Sequence, residues 1–90
     1  MDPNPETIPR KTILIINDEV DVCLLMKSYY LRKNYLVHIA HTIEEALIQI
    51  EKEAPDFIHL DAALCKNVAK VVAEIRRRAP NAEIKINKRC

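Results

Sequence analysis

The sequence predicts an α/β fold, with a parallel β-sheet that carries α-helices on both faces. Strand-like and helix-like segments alternate in the order β-α-β-α-β-α-β, and the loops between them are short, at two to seven residues. The first strand is apolar on both sides, as expected for a central strand of a parallel sheet. Parallel neighbours require right-handed helical crossovers, and the chain of 90 residues has room for one such domain.

The first strand, Thr12 to Ile16, is β-branched and apolar. Prolines 3, 5 and 9 precede it and predict an extended arm over residues 1–9, so we expect the domain to begin near Arg10. After the strand, apolar residues at helical spacing predict the buried stripe of a first helix: Val22, Leu25, Met26 and Tyr29. Asn34 is expected to end this helix in the left-handed conformation.

Residues 35–40 predict the second strand, and Thr42 with Glu45 forms the capping box that begins a second helix. The apolar stripe of this helix is Ile43, Ala46, Leu47 and Ile50, and Pro55 ends it.

Residues 57–60 predict the third strand, which is followed by Asp61. A third helix has the stripe Val68, Val71, Val72 and Ile75 and ends before Pro80. Residues 82–87 alternate Ile84 and Ile86 with Lys85 and predict a fourth strand with one wet face.

Composition excludes several classes of protein. The chain contains no glycine, which argues against glycine-rich phosphate loops and dinucleotide-binding turns, and no apolar run approaches the length of a membrane span. Three cysteines, at positions 23, 65 and 90, fit neither a metal knuckle nor a disulfide framework. We therefore expect a reduced, cytoplasmic protein without a membrane partner.

Charge is nearly balanced overall but is unevenly distributed. Residues 1–61 carry a net charge of −5 and residues 62–90 a net charge of +6. The basic run Arg76 to Arg78 allows contact with nucleic-acid phosphates, but cations are also favoured at a helix C-terminus and no aromatic residues lie nearby for base stacking. Nucleic-acid binding is therefore the less favoured interpretation.

Polar side chains end two of the predicted strands. Asn17 and Asp18 follow the first strand, and Asp61 follows the third. Carboxyl ends of parallel strands form the functional crevice of open α/β sheets, and carboxylates there are ligands for Mg²⁺ in phosphoryl transfer. The alternative, that polar residues simply mark where strands stop, stays open on these residues alone.

The segment from Lys11 to Val22, together with Tyr35, residues 44–47 and the run Pro55 to Asp61, resembles the receiver domain of bacterial two-component response regulators. The match extends without gaps from Lys11 to Leu64. It implies a flavodoxin-like, doubly wound parallel sheet, truncated after the fourth strand, with residues 10–90 as a partial receiver-like domain. It also implies phosphorelay signalling, with a sensor histidine kinase or phosphotransfer protein as partner, rather than a turnover enzyme.

Residue by residue, the resemblance makes Asp61 the phosphoacceptor and Asp18 the direct Mg²⁺ ligand, with Asp61 also contacting the metal. Asn17 stands where the family usually has a second acid, so it would hold Mg²⁺ through water, and Ala63 would contribute its backbone carbonyl. Because Asn17 removes a negative charge, we expect weak Mg²⁺ binding.

The chain also departs from the family pattern. The loop from Leu64 to Val68 lacks the usual proline and glycine, Lys88 stands at the position of the switching hydroxyl, and the fifth strand with its lysine has no counterpart. These departures support an alternative function, a degenerate receiver that is not phosphorylated and acts as a dimerisation or docking module. We expect a homo-oligomer or a partner domain to cover the missing region, at residues 84–86 and on the third helix at residues 68–75.

Two other candidate sites are weaker. His38 and His41 would point to opposite faces of a strand, which argues against a zinc site. Cys65 is better interpreted as a small packing residue than as a redox-sensitive thiol, and Cys90 as a terminal thiol open to adventitious disulfides.

Overall fold

The structure is a computed structural model that describes residues 10–88, so the predicted N-terminal arm and Cys90 lie outside the described residues. The elements follow the predicted order and begin or end within one residue of the expected strand limits. They are β1 (Thr12–Ile16), α1 (Val20–Arg32), β2 (Leu36–Ala40), α2 (Ile43–Glu53), β3 (Phe57–Asp61), α3 (Val68–Arg78) and β4 (Glu83–Asn87). A short 3₁₀ turn, Ala62–Leu64, follows β3 and was not predicted.

The four strands form one parallel sheet in the order β2-β1-β3-β4. β1 and β3 are paired so that Ile16 lies opposite Leu60. At the amino end of the sheet Asp56 joins three strands, because its carboxylate accepts from the N–H of Thr12 (2.8 Å) and its carbonyl accepts from the N–H of Glu83 (2.9 Å). The predicted doubly wound parallel sheet is therefore confirmed.

The two faces of the sheet have separate cores. On one face, α2 and α3 cover Leu14, Ile16, Ile58 and Leu60 with Ala46, Ile50 and Ile75. On the other face α1 is the only described helix, and Ile13, Ile15 and Cys23 pack there with Met26, Tyr30 and Phe57. Burial on both sides explains why β1 is apolar throughout.

The buried face of α1 differs from the predicted one. Met26 packs toward the sheet and Val22 is half-buried, but Leu25 is 73% exposed and Tyr29 is 53% exposed. Cys23, Met26 and Tyr30 form the face that contacts the strands. Apolar residues occur nearly all round this helix, so spacing alone allows two stripes, and contact with β1 selects the other one.

The helix ends use the predicted caps. Asn34 has a φ of 67°, in the left-handed region. The hydroxyl of Thr42 accepts from the N–H of Glu45 (3.1 Å), which begins α2. Ala54 ends α2 with a φ of 45°, a conformation in which its Cβ costs free energy relative to glycine.

The apolar side of α3 was expected to be exposed, and this prediction is wrong. Ile75 is buried, and Val71 and Val72 are half-buried against the α2 side of the core. The sheet and α2 therefore cover part of this stripe.

Two of the three arginines at the end of α3 form ion pairs. Arg78 bonds Glu51 of α2 (2.9 Å) and Glu74 (3.0 Å), and Arg77 also bonds Glu74. Their charge is thus partly balanced within the domain. In the part of the chain that the structure describes, no helix is long and apolar enough to cross a membrane.

Ala54→Gly should stabilise the domain by about 1 kcal/mol, because glycine adopts the left-handed C-cap without a Cβ clash. Ala73→Gly, on the exposed side of α3, is the matched control and should destabilise by about 0.5–1 kcal/mol. Urea unfolding followed by circular dichroism measures both. Equal destabilisation by the two changes would contradict the strained cap.

Candidate functional site

The polar residues at the carboxyl ends of β1 and β3 meet at one edge of the sheet. Asn17 and Asp61 each follow the paired residues Ile16 and Leu60 by one position, so they occupy neighbouring strand ends. Asn17 is 2% exposed and Asp61 is fully buried, whereas Asp18 is exposed. The structure therefore places two buried polar groups and one accessible carboxylate at this edge.

Asn17 is held by contacts with four residues, at the end of β2, in α1 and in the adjoining turns. Its N–H donates to the carbonyl of Ala40 at the end of β2 (3.0 Å), and its side-chain oxygen accepts from the N–H of Glu19 (2.8 Å). Its carbonyl accepts from the thiol of Cys23 (3.3 Å) and lies 2.9 Å from Nδ1 of His41. These contacts fix the turn that leads into α1 and carries Asp18.

His41 has a role that the sequence did not reveal. The zinc hypothesis grouped it with His38, but His38 lies 3.3 Å from Glu53 while His41 contacts the carbonyl of Asn17. The two histidines belong to different local networks. The sequence offered one indication of this role: His41 directly follows β2, so it lies at the edge where the polar strand ends meet.

Asp61 is the last residue of β3 and begins the 3₁₀ turn. Its Oδ1 accepts from the N–H of Ala63 (3.0 Å), which orients the carboxylate. The N–H of Cys65 donates to the carbonyl of Ala62 (3.0 Å), so closure of the turn does not use the carbonyl of Ala63. Ala63 thus supports Asp61 through its N–H.

Cys65 packs beside the acid. Its sulfur lies 4.0 Å from the carbonyl of Asp61, and the residue contacts the α2 and α3 side of the core. Burial, and then the charge of Asp61, raise the pKa of the Cys65 thiol. Because a thiolate is the reactive form, this environment supports packing over redox reactivity.

The donor set at this edge suits a hard cation held weakly. It contains two carboxylates, an amide oxygen and a backbone carbonyl, all of them oxygen donors of the kind that Mg²⁺ prefers. Among residues 10–88 there is no group of three or more His, Cys, Asp or Glu side chains that could hold a metal ion.

No protein-family model matches the chain. Several solved structures, however, are similar to it in fold. A response regulator receiver domain protein from Methanospirillum hungatei superposes with a TM-score of 0.82 at 23% identity, covering 89% of this chain and 65% of that one. A response regulator protein from Burkholderia pseudomallei, solved with a phosphorylated aspartic acid, a calcium ion and citrate, gives a TM-score of 0.80 at 26% identity. This match covers 87% of the present chain and 46% of the Burkholderia pseudomallei chain.

The chain has a receiver-like fold. A signal receiver domain of a putative Luxo repressor protein from Vibrio parahaemolyticus agrees, with a TM-score of 0.78 at 23% identity over 89% of this chain and 62% of that one. The resemblance noted from the sequence is thereby confirmed as a fold. The receiver-like domain spans between 46% and 65% of the length of these three structures.

Asp61→Asn should speed alkylation of Cys65 in this receiver-like domain. Removing the nearby charge lowers the raised pKa of the thiol, so the thiolate fraction at a given pH increases. Iodoacetamide labelling from pH 7 to about pH 11, a range that extends above the raised pKa of the thiol, gives the midpoint for each cysteine once the peptides are resolved by mass spectrometry. Asp21→Asn, on the exposed side of α1, is the control and should leave the Cys65 midpoint unchanged.

Proposed function

We propose that this receiver-like domain accepts a phosphoryl group on Asp61 during phosphorelay signalling. The observation that carries the proposal is the position of Asp61, a fully buried carboxylate at a strand end, oriented by the N–H of Ala63 beside Asn17. The Burkholderia pseudomallei response regulator, similar in fold, was solved with a phosphorylated aspartic acid. A sensor histidine kinase or a phosphotransfer protein would be the donor.

The residues that would hold Mg²⁺ are those with oxygen atoms at this edge: the carboxylates of Asp18 and Asp61, the carbonyl of Ala63, and Asn17 through water. Bound Mg²⁺ would neutralise negative charge on the transferred group. The calcium ion in the Burkholderia pseudomallei structure supports a divalent cation in proteins of this fold. Asn17 lowers the charge of the site, so the affinity should be weak.

In the proposed transfer, a carboxylate oxygen of Asp61 attacks the phosphorus of a phosphohistidine in line with the leaving nitrogen. The P–N bond breaks as the P–O bond forms, and the imidazole takes up a proton from solvent after it leaves. The chain contributes mainly position: the Ala63 N–H orients the carboxylate, and the anchored turn at Asn17 holds Asp18 near the incoming group. The product is an acyl phosphate on the protein, so the domain would act as a signalling module rather than a turnover enzyme.

Incubation with acetyl phosphate and Mg²⁺ should add the mass of one phosphoryl group to the parent protein and none to Asp61→Asn. The asparagine keeps the shape of the side chain and an oxygen that accepts from Ala63, so the fold should persist. Asp21→Asn, an exposed acid on α1, should be modified like the parent.

Intact mass spectrometry reads all three proteins directly. Modification that survives Asp61→Asn would place the acceptor elsewhere. A parent that gains no mass even at saturating Mg²⁺ would favour the degenerate receiver, which acts only as a docking or dimerisation module.

Asn17→Asp should tighten Mg²⁺ binding by about tenfold or more, because a second buried carboxylate adds charge beside Asp61. Asp18→Ala should abolish binding, since it removes the accessible carboxylate. Amide shifts of Glu19 and Ala63 in an NMR titration report both ends of the site. Affinity that is indifferent to both substitutions would contradict the assigned ligands.

A further inference from the structure

Among the residues that the structure describes, no strand pairs with the outer edge of β4. Within residues 10–88, β4 has β3 as its one neighbour in the sheet. The N–H of Glu83 donates to the carbonyl of Asp56 (2.9 Å), so Glu83 and Lys85, two positions apart, direct their backbone groups toward β3. Ile84 and Ile86 therefore direct their N–H and C=O groups outward, along an edge that can template another strand.

The side chains of β4 differ between its two faces. Ile84 is half-buried and Ile86 is 39% exposed, both on the side covered by α2 and α3. Glu83 and Lys85 are exposed on the α1 side, where they border a groove of ≈ 260 Å³ that also contacts Phe57 and His59. Opposite charges two residues apart on one face make the strand self-complementary when it is reversed.

We propose that a second copy of this chain pairs antiparallel along β4, with the two-fold axis at Ile84. In this register each Glu83 lies opposite the partner's Lys85, so two ion pairs form on the α1 side. Ile84 lies opposite the partner's Ile84, and Ile86 lies opposite the partner's Ala82, which covers the exposed apolar side chains. The two sheets become one continuous sheet.

Charge selects this register over its neighbours. A two-fold axis at Lys85 would place the two Lys85 side chains opposite each other. An axis at Glu83 would place the two Glu83 side chains opposite each other, and both arrangements are repulsive. An axis at Ile86 leaves Lys85 facing Asn87. A lysine on an edge strand usually discourages pairing, but here Glu83 supplies its counter-charge from the second copy.

The backbone geometry agrees with the same register. Because Ile84 points its backbone groups outward, an axis at this residue makes a hydrogen-bonded pair in which each Ile84 N–H donates to the other Ile84 carbonyl. The N–H of Ile86 reaches the partner's Ala82 carbonyl. Asp61 lies on β3, on the inner side of β4 from this edge, so the dimer does not depend on the proposed function.

Sedimentation equilibrium of the 90-residue chain, from about 1 to 200 μM with a reducing agent to exclude a Cys90 disulfide, tests the dimer. The parent should show a monomer–dimer equilibrium. Glu83→Lys and Lys85→Glu should each weaken it by about tenfold or more, since each converts two attractive pairs into repulsive ones. The double exchange Glu83→Lys with Lys85→Glu should restore the parent affinity to within about threefold.

Hydrogen exchange on the parent gives a second measurement that needs no variant. Protection of the Ile84 and Ile86 amides should rise with protein concentration, while the Glu83 and Lys85 amides stay protected at every concentration. A chain that stays monomeric at every concentration would overturn the proposal. This holds also if the Ile84 amide of that monomer is protected at all concentrations. A dimer that ignores charge reversal, or that the double exchange fails to restore, would overturn it too.

Discussion

The parallel pairing of β1 with β3 is the contact on which the other features of this domain depend. Both strands are buried in the middle of the sheet, and their register places Ile16 opposite Leu60. Removing these apolar side chains from water stabilises the pair, and at the amino end Asp56 bonds Thr12. A slip of one residue would turn every side chain of β3 to the other face, so burial and site geometry are set together. With the register fixed, Asn17 and Asp61 must end on neighbouring strands.

An uneven distribution of helices over the sheet follows from the order β2-β1-β3-β4. Among the described elements, two helices pack on one face and α1 alone packs on the other. The face over β3 and β4 therefore carries a groove beside Phe57, and no strand among residues 10–88 pairs with the outer edge of β4. The phosphoacceptor site proposed here lies at the opposite end of the strands from Glu83, so association along β4 and phosphoryl transfer can proceed independently.

Local patterns in the sequence were sufficient for the elements and for the edge where polar strand ends meet. Thr42 caps α2 as its spacing with Glu45 predicts, and Asn34 takes the left-handed conformation. The buried face of α1 was not predictable, because its apolar residues are distributed almost all round and only contact with the sheet selects among them. The role of His41 depends on a carbonyl from a distant part of the chain, which no spacing rule reveals. The roles of Asp18 and Asp61 were implied by the resemblance to receiver domains, and they are predictions about chemistry placed on a confirmed fold.

Paramagnetic broadening by Mn²⁺, a hard divalent cation that accepts the same oxygen ligands as Mg²⁺, tests the central claim that these strand ends form one site. Low Mn²⁺ should first broaden the amides of Asp18, Asp61 and Ala63 and leave Glu83, at the other end of the sheet, sharp. This pattern should be lost in Asp18→Ala. Broadening that instead begins at the acidic start of α2, around Glu44 and Glu45, or that is unchanged in Asp18→Ala, would contradict it.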